Sequence, residues 1–296
     1  MSKDEVKVGF VGLGIMGGPM AGNILKAGYR MQVYDCASEK IAPLRNAGAA
    51  VGDSAKAVAA ASDIVITCVP DSPDVLTVVL DERNGVIAGV RKDTLVIDCS
   101  TVAPEVADQC SKALRTKGCF FLDAPVSGGD IGAQAGTLSI MVGGEKADFD
   151  KALPVLEAMG KTITHCGDNG AGYTVKLCNQ ILGALNILGV AEALSLAVSA
   201  GVDPQIMIKA VSSGASSSWM LSNMAPKMIA DDFAPGFRVD YELKDLRLAH
   251  DAAHHLKVTL PAAALAETMF RAGSALGLGD EGIQAIYKVV KAWQNK

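Results

Sequence analysis

Three glycines near the start of the chain have the spacing of a turn that binds dinucleotides. Gly12, Gly14 and Gly17 follow the apolar run Val6–Val11, and the motif opens a helix that is predicted to begin at Met16. In this strand–turn–helix setting, the first glycine permits the tight turn, the second lets the backbone approach a pyrophosphate, and the third lets helix and strand pack closely. The N-terminus of the helix faces the phosphate charge. We therefore expect a nicotinamide or flavin dinucleotide to contact Gly12, Leu13, Gly14, Ile15, Met16 and Gly17.

A carboxylate ends the second predicted strand, MQVYD. This residue is Asp35, and it lies 23 residues after Gly12. An acidic side chain at this point bonds the ribose hydroxyls and repels the 2′-phosphate of NADP. The sequence thus predicts NAD as the cofactor, with NADP as the alternative. A helix cap or turn residue is the alternative interpretation of Asp35.

Polar turns follow two later strands. The turn VPDSP begins at Val69, and the turn CSTVAP begins at Cys99. Ligands of open parallel sheets bind outside the carboxyl ends of the strands, so we expect Val69, Pro70 and Thr101 to contact the cofactor. Ordinary turn and N-cap chemistry is the alternative for Thr101 and its neighbour Ser100.

A third turn is rich in glycine and follows the predicted strand CFFLDAP. It carries Ser127, Gly128 and Gly129. One hydroxyl and backbone N–H groups that no side chain shields form a nest suited to a small carboxylate. We expect this segment to bind the substrate, and a loop built only for tight turning is the alternative.

A long apolar helix is predicted to carry a lysine and two amides on one face. At about 100° per residue, Lys176, Asn179, Gln180 and Gly183 fall on one stripe. Such a stripe on an otherwise apolar helix between two domains indicates a site. A lysine ammonium beside a carbonyl can donate a proton as a hydride arrives and take it back in the reverse direction. The alternative is a lysine that extends its charge to solvent.

Three further candidates lie in the helical stretch Phe237–His255. Lys244 has the pattern of a solvent-facing residue when taken alone. His250 and His254 are spaced i, i+4 and could ligate a metal, but no acid of the H-E-x-x-H kind accompanies them. We expect no metal site.

The elements that position these residues divide into two kinds. From Val6 to about Ile163, six apolar runs alternate with helical segments, which predicts a doubly wound, mostly parallel α/β sheet. The runs are VKVGFVG, MQVYD, DIVITCVP, TLVIDCS, CFFLDAP and LSIMVGG. After His165–Gly172 only helical patterns follow, beginning with a long helix over Tyr173–Ala200. We predict a Rossmann domain that binds NAD(P) over residues 1–165, and an all-α domain for substrate binding and oligomerisation over residues 166–296.

Composition excludes several other classes of protein. The chain has 296 residues, half of them hydrophobic, and a net charge of −5, which argues against a nucleic-acid or anionic-membrane partner. Its longest charge-free apolar stretch, Leu177–Ala191, is shorter than the roughly 20 residues of a membrane span. The start of the chain has no pattern of a secretory signal. Seven scattered cysteines without a C-x-x-C pair favour reduced thiols, so we expect a cytoplasmic protein.

Four motifs in a fixed order resemble the β-hydroxyacid dehydrogenase family. They are GFVGLGIMGGPMAGNILKAG, DAPVSGG with AGTLSIMVGG, GAGYTVKLCNQ and FRVDYELKDL, and the resemblance covers essentially the whole chain. It implies a Rossmann domain, an all-helical domain, a cleft between them and a homodimer or homotetramer. The implied reaction interconverts a small 3-hydroxy acid and its semialdehyde, of the tartronate semialdehyde reductase or the 3-hydroxyisobutyrate dehydrogenase type. Succinic semialdehyde or glyoxylate reduction and 2-hydroxymethylglutarate oxidation are the alternatives.

The resemblance also implies roles for individual residues. Lys176 becomes the catalytic acid and base, Thr101 lies by the nicotinamide, and Lys244 closes over cofactor and substrate. The segment Ser127, Gly128 and Gly129 holds the substrate carboxylate, and Asn179 or Gln180 orients the substrate oxygen or the lysine.

Two positions bear on specificity within the family. Gln180 stands where many members have asparagine, which favours the tartronate semialdehyde reductase branch. Cys36 stands where members that prefer NADPH often have arginine, which favours NAD. Imine reductases usually have Asp or Tyr in place of Lys176, and a non-catalytic relative would lack the lysine, so both alternatives are disfavoured.

Overall fold

The computed structural model describes residues 5–293. The chain divides into two compact units, Met1–Lys176 (unit 1) and Leu177–Lys296 (unit 2). The division falls inside one continuous helix, so no break in the backbone marks it. The domain boundary predicted after residue 165 stays a prediction.

Unit 1 is built on one mixed sheet. Its strands are β1 (Lys7–Val11), β2 (Arg30–Tyr34), β3 (Ala50–Val51), β4 (Ile64–Thr67), β5 (Leu95–Asp98), β6 (Phe120–Asp123), β7 (Val126–Ser127), β8 (Leu138–Gly143) and β9 (Gly160–Gly167). The order is β3-β2-β1-β4-β5-β6-β8-β7, and β9 pairs with β8. Along the sheet from β3 through β2, β1, β4 and β5 to β6, all neighbouring strands are parallel. Strand β8, in contrast, runs antiparallel to β6 and β7. The predicted doubly wound, mostly parallel sheet is confirmed.

Helices cover both faces of this sheet. They are α1 (Gly17–Lys26), α2 (Ser38–Asn46), α3 (Ala55–Ala60), α4 (Ser72–Leu80), α5 (Glu105–Arg115), α6 (Gly129–Ala135) and α7 (Lys146–Leu156). Strand residues alternate between the two faces, so Ile64 and Ile66 pack with α1 and α2, whereas Val65 packs with α3, α4 and α5. The apolar runs of the central strands are continuous because both of their faces are buried.

Unit 2 is helical. Helix α8 (Ala171–Ser199) enters it from unit 1 and is followed by α9 (Pro204–Val211), α10 (Trp219–Ile229), α11 (Val239–Leu256), α12 (Pro261–Gly273) and α13 (Ile286–Ala292). A π-helical turn, Ser274–Leu278, extends α12. Between residues 177 and 293 the structure has no strand, and the β-type pairing there is a single bridge between Arg238 and Gly282. The predicted all-α second half is confirmed.

Helix α8 is long and apolar enough to cross a membrane. It has 29 residues, and 44% of its most apolar window is buried inside the protein. A core helix of a globular domain has the same length and composition, so these two properties assign no membrane span.

Candidate active site

The glycine turn after β1 has the shape that a dinucleotide requires. Gly12 has a φ of +92°, and a Cβ there would lie 2.2 Å from the Cys68 carbonyl oxygen. A Cβ on Gly17 would lie 2.0 Å from the Gly12 carbonyl oxygen. A Cβ on Gly14, in contrast, would meet nothing within 4 Å. The backbone at Gly14 therefore borders open space, which fits the close approach of a pyrophosphate to the start of α1.

Strand β1 lies between β2 and β4, so the strand order reverses at this point, where open α/β sheets bind ligands. Asp35 directly follows β2. Its Oδ2 accepts the Leu13 N–H at 2.7 Å and its Oδ1 accepts the Ala37 N–H at 2.8 Å. Burial raises the pKa of the Asp35 carboxyl, but these two donors, the Lys40 ammonium and the Cys36 thiol together outweigh burial and hold the pKa below its ordinary value. Asp35 is therefore an anion that is tied to the glycine turn.

The turns after β4 and β5 are joined to each other. The Val69 N–H donates to Ser100 Oγ at 2.9 Å, and the Ala103 N–H donates to Ser72 Oγ at 3.1 Å. Pro70 lies in the first turn and Thr101 in the second, so both predicted contacts are at the carboxyl edge of the sheet that also carries the glycine turn.

The segment after β6 turns through two glycines. Ser127 ends β7, and the next two residues have positive φ angles, +136° at Gly128 and +64° at Gly129. Side chains rarely adopt these angles, which explains the two glycines. A Cβ on Gly129 would meet nothing within 4 Å, so its backbone also borders open space.

A buried polar network lies between these turns and the start of α8. Asp98 and Asp123 end β5 and β6 and face each other in the parallel register. Asp98 Oδ1 accepts from the hydroxyls of Thr67 and Ser100, and its Oδ2 accepts the Ser100 N–H at 3.0 Å and the Tyr173 hydroxyl at 2.8 Å. Burial raises the pKa of the Asp98 carboxyl, and these donors oppose the shift.

Asp123 binds the start of α8 through the backbone. Its two carboxyl oxygens accept the N–H groups of Gly170 at 2.8 Å and Tyr173 at 3.0 Å. These N–H groups have no partner within the helix, so Asp123 acts as a cap supplied from a neighbouring strand. Burial raises the pKa of the Asp123 carboxyl to about 6, against the lowering effect of both donors.

Lys176 lies one turn after Gly172 on α8 and is buried, with a relative exposure of 7%. A buried lysine is uncommon in proteins unless its charge is paired. Sequence reasoning identified it, but it missed Asp98, Asp123 and Tyr173. The signal was present, because two apolar strand runs, LVID and FFLD, each end in aspartate.

Unit 2 holds a second polar cluster, centred on Gln180. Its Nε2 donates to Asp245 Oδ2 at 2.6 Å and to Glu242 Oε2 at 3.1 Å, and its Oε1 accepts from Asn179 Nδ2 at 2.8 Å. Lys244 Nζ lies 2.9 Å from Asp245 Oδ1. Three predicted site residues, Asn179, Gln180 and Lys244, are thus brought together, with two acids that were not predicted.

His250, the first residue of the i, i+4 histidine pair on α11, lies beside an acid of α12. His250 Nε2 lies 3.4 Å from Glu267 Oε2. Across residues 5–293, no group of three or more His, Cys, Asp and Glu side chains has the arrangement of a metal site.

Comparison with known proteins agrees with this geometry. Residues 7–167 match the family described as the NAD binding domain of 6-phosphogluconate dehydrogenase. Residues 170–290 match the family described as NAD-binding of NADP-dependent 3-hydroxyisobutyrate dehydrogenase. The cofactor is therefore NAD(P), and the turn at Gly12–Gly17 with its open backbone at Gly14 fits that group.

Individual relatives are similar over nearly their whole length. The chain is 42% identical to 2-hydroxy-3-oxopropionate reductase of Escherichia coli, with 92% of each chain covered. It is 41% identical to 2-(hydroxymethyl)glutarate dehydrogenase of Eubacterium barkeri, covering 96% of this chain and 95% of that one. The crystal structure of 3-hydroxyisobutyrate dehydrogenase from Salmonella typhimurium superimposes with a TM-score of 0.87 at 34% identity, over 96% and 99% of the two chains. The chain belongs to the β-hydroxyacid dehydrogenase family and is an NAD(P)-dependent hydroxyacid dehydrogenase.

Proposed function

We propose that this enzyme reduces tartronate semialdehyde (2-hydroxy-3-oxopropionate) to glycerate with NADH, and that Lys176 supplies the proton. The observation that carries the proposal is the polar face of α8, where buried Lys176 is followed at helical spacing by Asn179 and Gln180. The reductase of E. coli at 42% identity supports the choice of substrate. The side chains around Gln180 are polar, and this environment suits a substrate with a hydroxyl at C2 better than one with a methyl group.

The reduction needs a hydride, a proton and protein groups that hold the substrate. When bound, NADH would supply the hydride that the aldehyde carbon accepts. As the C=O bond becomes a C–O single bond, the Lys176 ammonium gives its proton to the oxygen, and the products are a primary alcohol and the oxidised cofactor. Ser127, Gly128 and Gly129 bind the substrate carboxylate, while Asn179 and Gln180 orient the reacting oxygen or Lys176.

The proposed cofactor contacts of unit 1 lie at the carboxyl edge of the sheet. The turn from Gly12 to Gly17 holds the pyrophosphate, and anionic Asp35 accepts the ribose hydroxyls and disfavours a 2′-phosphate. Val69, Pro70 and Thr101 would line the nicotinamide half, and the family resemblance assigns Lys244 to the same cofactor. NAD is the preferred cofactor.

Steady-state rates with a set of aldehydes test this proposal. Tartronate, methylmalonate and succinic semialdehydes are each reduced with NADH and with NADPH, and the Lys176→Met variant keeps the volume of the lysine stem. We expect the highest kcat/KM with tartronate semialdehyde and NADH. We expect kcat of Lys176→Met to fall by about 10²–10⁴-fold, the usual contribution of a general acid, with NADH affinity retained.

The control is Lys112→Met, a change at an exposed lysine on α5 that pairs with Asp108. A preference for methylmalonate semialdehyde would assign the enzyme to hydroxyisobutyrate chemistry. Unchanged turnover by Lys176→Met would exclude the lysine mechanism.

A further inference from the structure

The first turn of α8 is fastened to the sheet at two points of different kind. Asp123 accepts the backbone N–H groups of Gly170 and Tyr173, and Asp98 accepts the Tyr173 hydroxyl. Tyr173 is fully buried and belongs to the core on the α3–α4–α5 face of the sheet. Lys176 follows Tyr173 by three residues on the same helix, a rise of about 4.5 Å.

We propose that Tyr173 is a positioning residue for the reduction, because its bond to Asp98 sets the rotation of the first α8 turn and thereby the location of Lys176. The proposal rests on the acid–base role assigned to Lys176 above. Tyr173 itself is assigned no contact with substrate or cofactor.

Asp98 is suited to this task because it is the junction of three segments. Through Ser100 it is bonded to the turn that carries Thr101, and Ser100 Oγ in turn accepts the Val69 N–H of the neighbouring turn. The Thr67 hydroxyl, which donates from the adjacent strand, completes four donors to one carboxylate. The two turns assigned to the nicotinamide and the helix that carries Lys176 are therefore held by a single buried side chain.

The Tyr173–Asp98 bond is not needed to begin the helix. Asp123 already satisfies two N–H groups at its start, and Gly172 packs so closely that a Cβ there would lie 2.4 Å from the Met141 carbonyl oxygen. What the hydroxyl adds is a fixed angle between the first turn and the end of β5. Because reacting groups lose rate steeply with displacement, a shift of about 1 Å can cost 10²-fold.

The test is the Tyr173→Phe variant, which keeps the aromatic ring and removes only the hydroxyl. Tyr29→Phe is its matched control, since Tyr29 is also buried in unit 1 and its hydroxyl donates to the Pro154 carbonyl oxygen at 2.9 Å. The assays are steady-state kinetics and the isotope effect of NADH deuterated at C4. The modification rate of Lys176 by acetic anhydride, followed by peptide mass spectrometry, reports on the lysine without turnover.

We expect a larger loss of melting temperature in Tyr173→Phe than in Tyr29→Phe, because Tyr173 donates to a buried carboxyl and Tyr29 to a neutral carbonyl. In Tyr173→Phe alone, kcat should fall at least about tenfold with KM changed less than about threefold, and the deuterium isotope effect should rise as chemistry becomes slower. The Lys176 modification rate should also rise in Tyr173→Phe, because a looser first turn exposes the amine.

Equal kcat, isotope effect and modification rate in the two variants would overturn the proposal. If the wild type reduces none of the aldehydes, the proposed function fails, and the modification rate of Lys176 still decides the positioning role. An unchanged rate in Tyr173→Phe then refutes that role as well.

Discussion

Gln180 Nε2 lies 2.6 Å from Asp245 Oδ2, so the amide on the polar face of α8 is held by a buried carboxylate of α11. A second carboxylate, Glu242, accepts from the same nitrogen, and Asn179 donates to the amide oxygen. The orientation of the Gln180 amide is fixed by these three bonds, because carboxylates accept only from its nitrogen and the Asn179 nitrogen donates only to its oxygen.

Removing this amide should destabilise the enzyme more than removing a comparable one. Gln180→Ala removes the donor that two buried carboxyls share, of which Asp245 keeps Lys244, and we expect a loss of about 3 kcal/mol in unfolding free energy. Gln284 is equally buried, but its Nε2 donates to the neutral carbonyl oxygens of Asp232 and Ala234. Gln284→Ala should lose only about 1–2 kcal/mol, measured by urea unfolding. Equal losses would mean that the carboxylates of the Gln180 cluster find other donors.

Two glycines of the same turn should separate cofactor binding from folding. Gly14→Ala adds a methyl group to open space, so stability should stay within about 0.5 kcal/mol of wild type while the NADH dissociation constant rises at least about tenfold. Gly17→Ala places its Cβ against the Gly12 carbonyl and should cost about 3 kcal/mol. Thermal unfolding and NADH fluorescence titration measure the two effects. Normal NADH affinity in a folded Gly14→Ala variant would show that the pyrophosphate does not bind at this turn.

The charge of Asp35 should control the choice between the two nicotinamide cofactors. In Asp35→Asn the repulsion of a 2′-phosphate is lost, so the ratio of kcat/KM for NADH to that for NADPH should fall about tenfold, or about 1.4 kcal/mol. The ratio is independent of the folded fraction of the variant. Asp63→Asn makes the same charge change before β4, at the amino edge of the sheet, and should leave the ratio unchanged. An unchanged ratio in Asp35→Asn would mean that Asp35 stabilises the glycine turn but does not control the choice of cofactor.

The sequence predicts the parts of this fold that depend on local pattern. Six apolar runs form strands, and the long helix predicted over Tyr173–Ala200 is α8, Ala171–Ser199. Strands β3 and β7 escaped prediction because two residues carry no periodicity. Strand β9 escaped because it pairs only with β8 and is mostly part-exposed, so its residues, GKTITHCG, are largely polar.

Local pattern likewise predicts some of the candidate site residues and not others. The glycine turn and Asp35 have fixed positions within a strand–turn–helix–strand unit, and Lys176 lies on a polar stripe of a long apolar helix, so local pattern predicts these residues. Pairs such as Asp98 with Tyr173, 75 residues apart, depend on the register of two strands and the docking of a helix, which no local pattern encodes. Glu242 and Asp245 were detectable, because they fall on the same buried stripe of α11 as Leu246 and Ala249.

Asp123 should make the stability of the enzyme depend on pH with an unusual sign. Its pKa is raised from 3.8 to about 6 in the folded protein. Above pH 6 both states are ionised, and the folded state carries the cost of a buried charge. Between pH 6 and 3.8 the folded state binds the proton while the unfolded state does not, so this contribution becomes more favourable as pH falls.

The Asp123→Asn variant isolates this effect, since asparagine does not titrate and all other groups are shared. The unfolding free energy of wild type minus that of Asp123→Asn should rise by about 2–3 kcal/mol from pH 7.5 to pH 4. Asp81 provides a control of opposite sign, because the N–H groups of Arg83 and Asn84 lower the pKa of its exposed carboxyl. The corresponding difference for Asp81→Asn should fall on acidification. If the difference for Asp123→Asn does not change with pH in urea unfolding, the N–H groups at the start of α8 stabilise the Asp123 carboxylate as much as burial destabilises it.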